Sequence, residues 1–428
     1  MLRHIFLVLV VFVASAVSLT GAAQDAEPAI GPLALFFPTL DVARLDPVTL
    51  EPLGPRVGVG EYHGVAAISP DGTQLAAGTG GPGGQVQIID IQRMEAQHSV
   101  YTGIAVEALA WLGPRRIVAA MQCNPRNVSG RGCGIAVVDS TTGEVVRRWP
   151  ETEADTQTLP FVPGFLSPKT FATTPHGIVF LLIPARRVAP ARLVVIRPEG
   201  ELRSVTLSSI ATGQERLSGP QQSAGLAVPP AGGRTYVVGL ESIVTEVDLE
   251  TLEIRDHPVE GLDPTLPFTS RRAFWLNGQI VVHGAGSTHS LGAGLSWVSD
   301  SVPAGVMTID TTSWRARTID ADAHQAVEAA GLMLAYGGRS SGLTGYSANG
   351  ERRFHLFADD DHPVASVYVD GLYAYAVSID PQLREPDGRD YVRESHVRVV
   401  DVATGQVIRE ARPSARLIRP LSRALPWR

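Results

Sequence analysis

His63-Gly64-Val65-Ala66-Ala67-Ile68-Ser69-Pro70-Asp71-Gly72-Thr73-Gln74-Leu75-Ala76-Ala77-Gly78 sets the fold class. Two apolar runs flank a Pro-Asp-Gly turn. Pro presets the first turn dihedral, Asp bonds the backbone ahead of it, and Gly takes a left-handed conformation without a Cβ clash. Runs this short, bounded by turn residues, read as strands rather than helix. A third strand follows at 86–91 and a fourth at 96–101.

The same order returns along the chain. Strands at 106–111, 116–122, 135–139 and 145–149 form the next unit. Others lie at 226–228, 235–240, 244–249 and 253–259, and at 364–369, 372–379, 397–402 and 406–412. Further units begin near Lys169, Ala273 and Gln325. Third strands often end in Asp before a turn, as in Asp139-Ser140-Thr141-Thr142-Gly143 and Asp401-Val402-Ala403-Thr404-Gly405. Four strands repeated every forty to fifty residues or so form the signature of a β-propeller. The motif Ile68-Ser69-Pro70-Asp71-Gly72 with Leu75-Ala76-Ala77 resembles the YVTN-type, WD-like propellers of exported bacterial proteins. No Trp-Asp dipeptide closes the third strands, so the repeat departs from the standard WD pattern.

Segments 33–38, 41–45 and 53–59 read as the second to fourth strands of one more unit. The tail at 415–421 would supply its first strand, and closure from both ends would protect the edges. The expectation is an all-β, eight-bladed propeller in one domain from residue 33 to 428, with seven blades as the alternative.

The N-terminus has the parts of a secretory signal peptide. Arg3 and His4 precede an apolar run, and Gly21 and Ala23 are small enough for cleavage after residue 23. Residues 24–32 would then be a short linker. The address expected is secreted or periplasmic. No later stretch is long and apolar enough to span a bilayer as a helix. Cys123 and Cys133 are the only cysteines. In an exported chain they are expected to form a disulfide. A net charge of −7 and the lack of a dense basic patch argue against nucleic acid as a partner.

Links from first to second strand are short, as in Leu276-Asn277-Gly278 and Val369-Asp370-Gly371. Long links join second to third strands: the cysteine loop at 122–134, 184–190, a Gly/Ser-rich loop at 284–305 and a charged loop at 380–394. In an antiparallel blade these share a face with the links between blades, and binding residues concentrate on such loops. Trp297 and Tyr391 are the aromatic candidates for anchoring a partner there, packing their own loops being the other reading. Glu61-Tyr62-His63, Asp322-Ala323-His324 and Asp360-Asp361-His362 fall where first strands begin. His63, His324 and His362 are therefore candidate ligands for a divalent metal at the channel mouth. Local bonding of each His is the rival reading.

Two further motifs lack their context. Gly338-Arg339-Ser340-Ser341-Gly342 matches a nucleophile elbow, which needs a strand-to-helix turn. Gly78-Thr79-Gly80-Gly81-Pro82-Gly83 matches a dinucleotide fingerprint, which needs a following helix. No complete catalytic set is present, and no cofactor is expected beyond that divalent metal. The functional expectation is a binding or scaffold module for a protein, a glycan or a cell-envelope component. The alternative is an enzyme or enzyme subunit. It would be metal-dependent, or similar to the heavy subunit of quinone-dependent amine dehydrogenases, whose cofactor belongs to a small partner subunit.

Overall fold

The computed structural model describes residues 32–36, 40–60, 62–80, 83–103, 105–121, 134–150, 165–166, 171–184, 190–210, 224–262, 268–291, 297–338, 342–358, 363–379, 395–411 and 415–418. They form an eight-bladed β-propeller of antiparallel, four-stranded blades. Blade 1 runs Tyr62–Ile68, Gln74–Thr79, Gln85–Asp90, Glu95–Tyr101. Blade 2 runs Val106–Trp111, Arg116–Met121, Gly134–Asp139, Glu144–Trp149. Blade 3 runs Phe171–Thr174, Gly177–Pro184, Ala191–Ile196, Leu202–Leu207, with Phe165–Leu166 pairing the far end of its second strand. Blade 4 runs Gly225–Ala227, Arg234–Val238, Ile243–Asp248, Ile254–Pro258. Blade 5 runs Phe268–Leu276, Gln279–Leu291, Trp297–Asp310, Arg315–Asp320.

Blade 6 runs Gln325–Ala329, Leu332–Tyr336, Leu343–Tyr346, Arg352–Leu356. Blade 7 runs Val364–Asp370, Tyr373–Ile379, Ser395–Asp401, Gln406–Ala411. Blade 8 is shared between the ends of the chain. Leu33–Phe36, Asp41–Arg44 and Val57–Gly58 are its second to fourth strands, and Ala415–Ile418 is its first. First strands of consecutive blades pack on one another, which places them innermost.

The core is a ring of interfaces rather than one centre. Eight apolar clusters are present among the described residues, each built from two consecutive blades. One joins blade 8 to blade 1 through Leu33, Val42 and Val59 against Ala66, Leu75 and Ile89. Another joins blade 7 to blade 8 through Tyr375, Val397 and Val399 against Ala34, Leu45 and Leu50. Strands buried on both faces read as continuous apolar runs, which is how 116–121 and 135–138 look. Close packing also explains Gly78. A Cβ there would lie 2.5 Å from Val65 Cγ2 and 2.9 Å from Val106 Cβ, so the position excludes a side chain. The Gly-rich run at 78–83 opens in a strand, with no helix after it.

The turn between third and fourth strands is the repeat's most regular element. Asp46, Asp90, Asp139, Asp248 and Asp310 each accept two backbone N–H bonds, at 2.7 to 3.1 Å, from the residues two and three ahead. Asp401 accepts one from Thr404 at 2.9 Å. The residue four after each Asp has a positive φ: Leu50, Met94, Gly143, Leu252, Trp314 and Gly405. Left-handed backbone costs a non-glycine residue roughly 1–2 kcal/mol. Met94 and Leu50 offset that by burying their side chains against the neighbouring blade, which contributes about 1.5–3 kcal/mol each. Where Gly stands, the preceding blade fills the space. A Cβ on Gly143 would meet His98 at 2.8 Å, and one on Gly405 would meet Phe354 at 2.5 Å.

These backbone bonds hold the carboxyls of Asp46, Asp248 and Asp310 below the usual carboxylate range. A depressed folded value contributes stability above the unfolded pKa of about 4, and the contribution is lost as pH falls through the lower folded value. Asp248→Ala is expected to cost about 1 kcal/mol at pH 7, the usual net worth of such bonds at an exposed turn. Urea melts at pH 7 and pH 3 check this. The penalty should shrink at pH 3.

Candidate functional site

Chain direction divides the links between two faces. First-to-second and third-to-fourth links share one face, and second-to-third links share the other with the blade-to-blade links. The short-link face is occupied by contacts that join blades. In blades 1 to 6 a side chain on the outer strand reaches the third-to-fourth turn of the next blade. His98 Nε2 lies 3.0 Å from Thr141 O; a carbonyl only accepts, so Nε2 carries the proton. Arg147 donates to Gly200 O at 3.1 Å and Arg203 to Glu250 O at 2.6 Å. Arg317 donates to Asn349 O.

Blades 4 and 5 use rings instead. His257 stacks on Trp314 with centroids 3.7 Å apart and sits 2.8 Å from Glu246, which also pairs with Arg234. Blade 6 places Phe354 against Gly405 of blade 7. These donors and rings are committed to the carbonyls and turns of the rim itself.

The long-link face is built differently. At blade 4 the link is tight, and Arg271, 1% exposed on the first strand of blade 5, secures it. Its guanidinium donates to Gly239 O at 2.6 Å and Glu241 O at 3.0 Å. At blade 7, Arg398 lies over the Phe357 ring at 4.2 Å, while His396 sits 3.4 Å from Glu410. Arg271 and Arg398 are thus buried charges on this side of the ring, 1% and 2% exposed.

Blade 5 corrects the sequence reading. Much of 284–305 is paired strand rather than loop, because the second and third strands stay paired from Gln279↔Asp310 to Leu291↔Trp297; residues 292–296 lie outside the described residues. The first strand stops at Phe268↔Gly286 and the fourth at Val306↔Asp320. Five pairs, Ser287↔Ser301 to Leu291↔Trp297, therefore form a two-stranded arm beyond the blade. At roughly 3.3 Å per residue the arm reaches about 16 Å past the sheet.

Of the candidate ligands, His324 is described in full. Asp320 accepts from the amides of Asp322 and Ala323, both at 3.0 Å, and folds the link that delivers it. Its ring lies against the backbone of Gly337 and Gly338, both left-handed. A Cβ on Gly337 would be 2.9 Å from Nε2, and one on Gly338 3.2 Å from Nδ1. Nδ1 is buried without a hydrogen-bond partner. Burial pushes the imidazole below its ordinary value. Such a group favours the fold when neutral, so its contribution weakens as pH falls below about 6.5. NMR titration should find His324 charging below 6.5, and His324→Phe should make stability less sensitive between pH 6.5 and 5.

His63 lies on the first strand of blade 1, where a register shift separates Tyr62 from Val65. Trp297 opens the outer strand of the arm. The side chains of His63 and Trp297 lie outside the described residues, as do His362, Tyr391, Cys123, Cys133 and the signal peptide expected at 1–23. Among the described residues, no group of three or more His, Cys, Asp or Glu is arranged to hold a metal, and no helix is long and apolar enough to cross a membrane.

No protein-family model matches the chain, and no curated protein does. Solved structures do. Dihydro-heme d1 dehydrogenase NirN in complex with DHE superposes with a TM-score of 0.59 at 14% identity, over 91% of this chain and 74% of that one. This likeness is one of fold. A eukaryotic initiation factor aligns with a TM-score of 0.49 at 11% identity, over 90% of this chain and 96% of that one.

Proposed function

We propose that this chain is an exported propeller of the YVTN-like type its sequence resembles, and that it binds a partner through its long-link face. The observation that carries this reading is the different use of the two faces. On the short-link rim, six blade junctions are closed by groups aimed at the next blade's turn. The opposite face carries the longer links and the arm of blade 5. A rigid ring that leaves one face elaborated is suited to recognition. The partner class is a polypeptide, glycan or envelope component outside the cytoplasm, in keeping with the N-terminal sequence.

Crosslinking capture from the native envelope or culture fluid tests it. The intact protein is compared with a variant whose residues 287–301 are replaced by a two-residue turn and whose 380–394 segment is shortened. Capture by the intact protein alone supports the reading. Equal capture by both, or capture lost only when Arg147 and Arg203 are replaced by Ala on the rim, would reject it.

A further inference from the structure

We propose that the ring has one seam and opens there, within the native state, ahead of every other junction: Ala415–Ile418 leaves blade 8 together with blade 7, and blades 7 and 8 part. The inference goes beyond partner binding at the long-link face and rests on how the chain is connected. Blades 1 to 7 each take their strands from one stretch of chain, and a peptide link leads from each to the next. Blade 8 joins the two ends. Its three N-terminal strands hold its C-terminal strand through four residue pairs, Leu33↔Ile418 to Phe36↔Ala415. No peptide link crosses that ladder.

Connectivity sets the order of opening. Bonds across the junctions of blades 1–2, 2–3 and 3–4 join residues 43, 53 and 47 apart. Parting any of these leaves the two sides on a short tether. Across the 7–8 junction, the Tyr375 hydroxyl donates to Pro47 O from 328 residues away. Once 415–418 has left with blade 7, the whole ring is the tether. Loop-closure entropy grows with the logarithm of loop length, so a loop about seven times longer favours the open form roughly twentyfold, contacts being equal. The seam's contacts are of the same kind as the others: Tyr375, Val377, Val397 and Val399 of blade 7 against Ala34, Ala43, Leu45 and Leu50 of blade 8.

The parts that stay together are also defined. Blade 8 keeps its other three strands on blade 1, where Leu33, Val42 and Val59 pack on Ala66, Leu75 and Ile89. The chain runs directly from Val57–Gly58 into Tyr62–Ile68. The open form is therefore an arc of seven blades, with three strands of blade 8 at one end and 415–418 at the other. It bares the backbone edge of Leu33–Phe36, which templates strand addition. Openings of part of a structure are too rare to mark a melting curve, and native-state exchange reads them.

Val137 and Val399 stand at matching places, each two residues before the Asp that ends a third strand. They are buried in the 2–3 and 7–8 junctions respectively. Val137→Cys and Val399→Cys therefore compare the two junctions by thiol labelling of the folded full chain in sub-denaturing urea. Peptide mapping separates the introduced thiols from Cys123 and Cys133, and circular dichroism controls for folding. Labelling at 399 should run about tenfold or more faster than at 137. In the unsubstituted chain, amide exchange of 33–36 and 415–418 should share one opening, with a weaker urea dependence than that of 117–121 in blade 2. Equal labelling at both positions would overturn the proposal. So would fast exchange at 415–418 with labelling at 399 no faster than at 137, which marks a fraying end rather than a seam. Exchange of 33–36 and 415–418 as slow as that of 117–121 would overturn it as well, whatever the variants do.

Discussion

Truncation at residue 411 is expected to abolish the single cooperative unfolding transition of the ring. Ala415–Ile418 pairs all four residues of Leu33–Phe36 and is the innermost strand of blade 8. Its loss removes those pairs, worth about 4 kcal/mol at roughly 1 kcal/mol each, and bares the edge of 33–36 to aggregation. The damage spreads because blade 8 contributes to two apolar clusters, with blade 7 through Leu45 and Leu50 and with blade 1 through Leu33 and Val42. The hydroxyl of Tyr375 in blade 7 also donates to Pro47 O of blade 8 at 3.1 Å. Typical domains are stable by only about 5–15 kcal/mol, so an open ring should melt early and broadly. A synthetic peptide of residues 412–421 added in trans should restore part of the transition. An unchanged melting temperature in the truncated chain would show that closure contributes little.

The largest single-residue effect is expected at Trp111. It ends the first strand of blade 2, is 1% exposed, and donates from Nε1 to Ala67 O of blade 1 at 2.9 Å. It thus fills the interface of blades 1 and 2 among Ala67, Val106 and Ile117 and satisfies a carbonyl across it. Trp111→Ala should lower stability by about 3–5 kcal/mol through lost burial and the cavity left behind. Trp111→Phe keeps most of the packing and strands the carbonyl, for roughly 1–3 kcal/mol. Denaturant melts of the three proteins separate the two contributions. Equal losses for Ala and Phe would mean that the hydrogen bond, not packing, is the main contribution.

Much of the fold was legible because its determinants are local. Pro70-Asp71-Gly72, Asp139 with Gly143, and Asp401 with Gly405 mark turns by residue chemistry, and the apolar runs between them mark strands. Leu50, Met94, Leu252 and Trp314 were not legible as left-handed residues. Nothing local favours that backbone for them, and only the neighbouring blade's surface makes it worthwhile. The same spacing from Asp to a Glu, Gln or Arg five residues on was the available signal. It holds in Asp46–Glu51, Asp90–Glu95, Asp248–Glu253 and Asp310–Arg315.

The arm was misread as a loop because Gly, Ser and Thr carry turn propensity, whereas ladder pairing is a backbone property that needs no apolar alternation. The rim contacts of His98, Arg147, Arg203 and Arg317 are invisible to spacing, since each bridges two repeats. His324 was singled out by its acid-x-His triplet. In the structure Asp320 shapes the link and the Gly337–Gly338 backbone receives the ring, neither of which the triplet announces.

Hydrogen–deuterium exchange on the protein with and without its captured partner tests the central claim most directly. The account predicts slowed exchange in peptides covering 284–305, 321–324, 337–342 and 380–394, with turns 90–95, 139–144, 248–253 and 310–315 unchanged. Protection confined to those turns would contradict it and move the binding surface to the short-link rim.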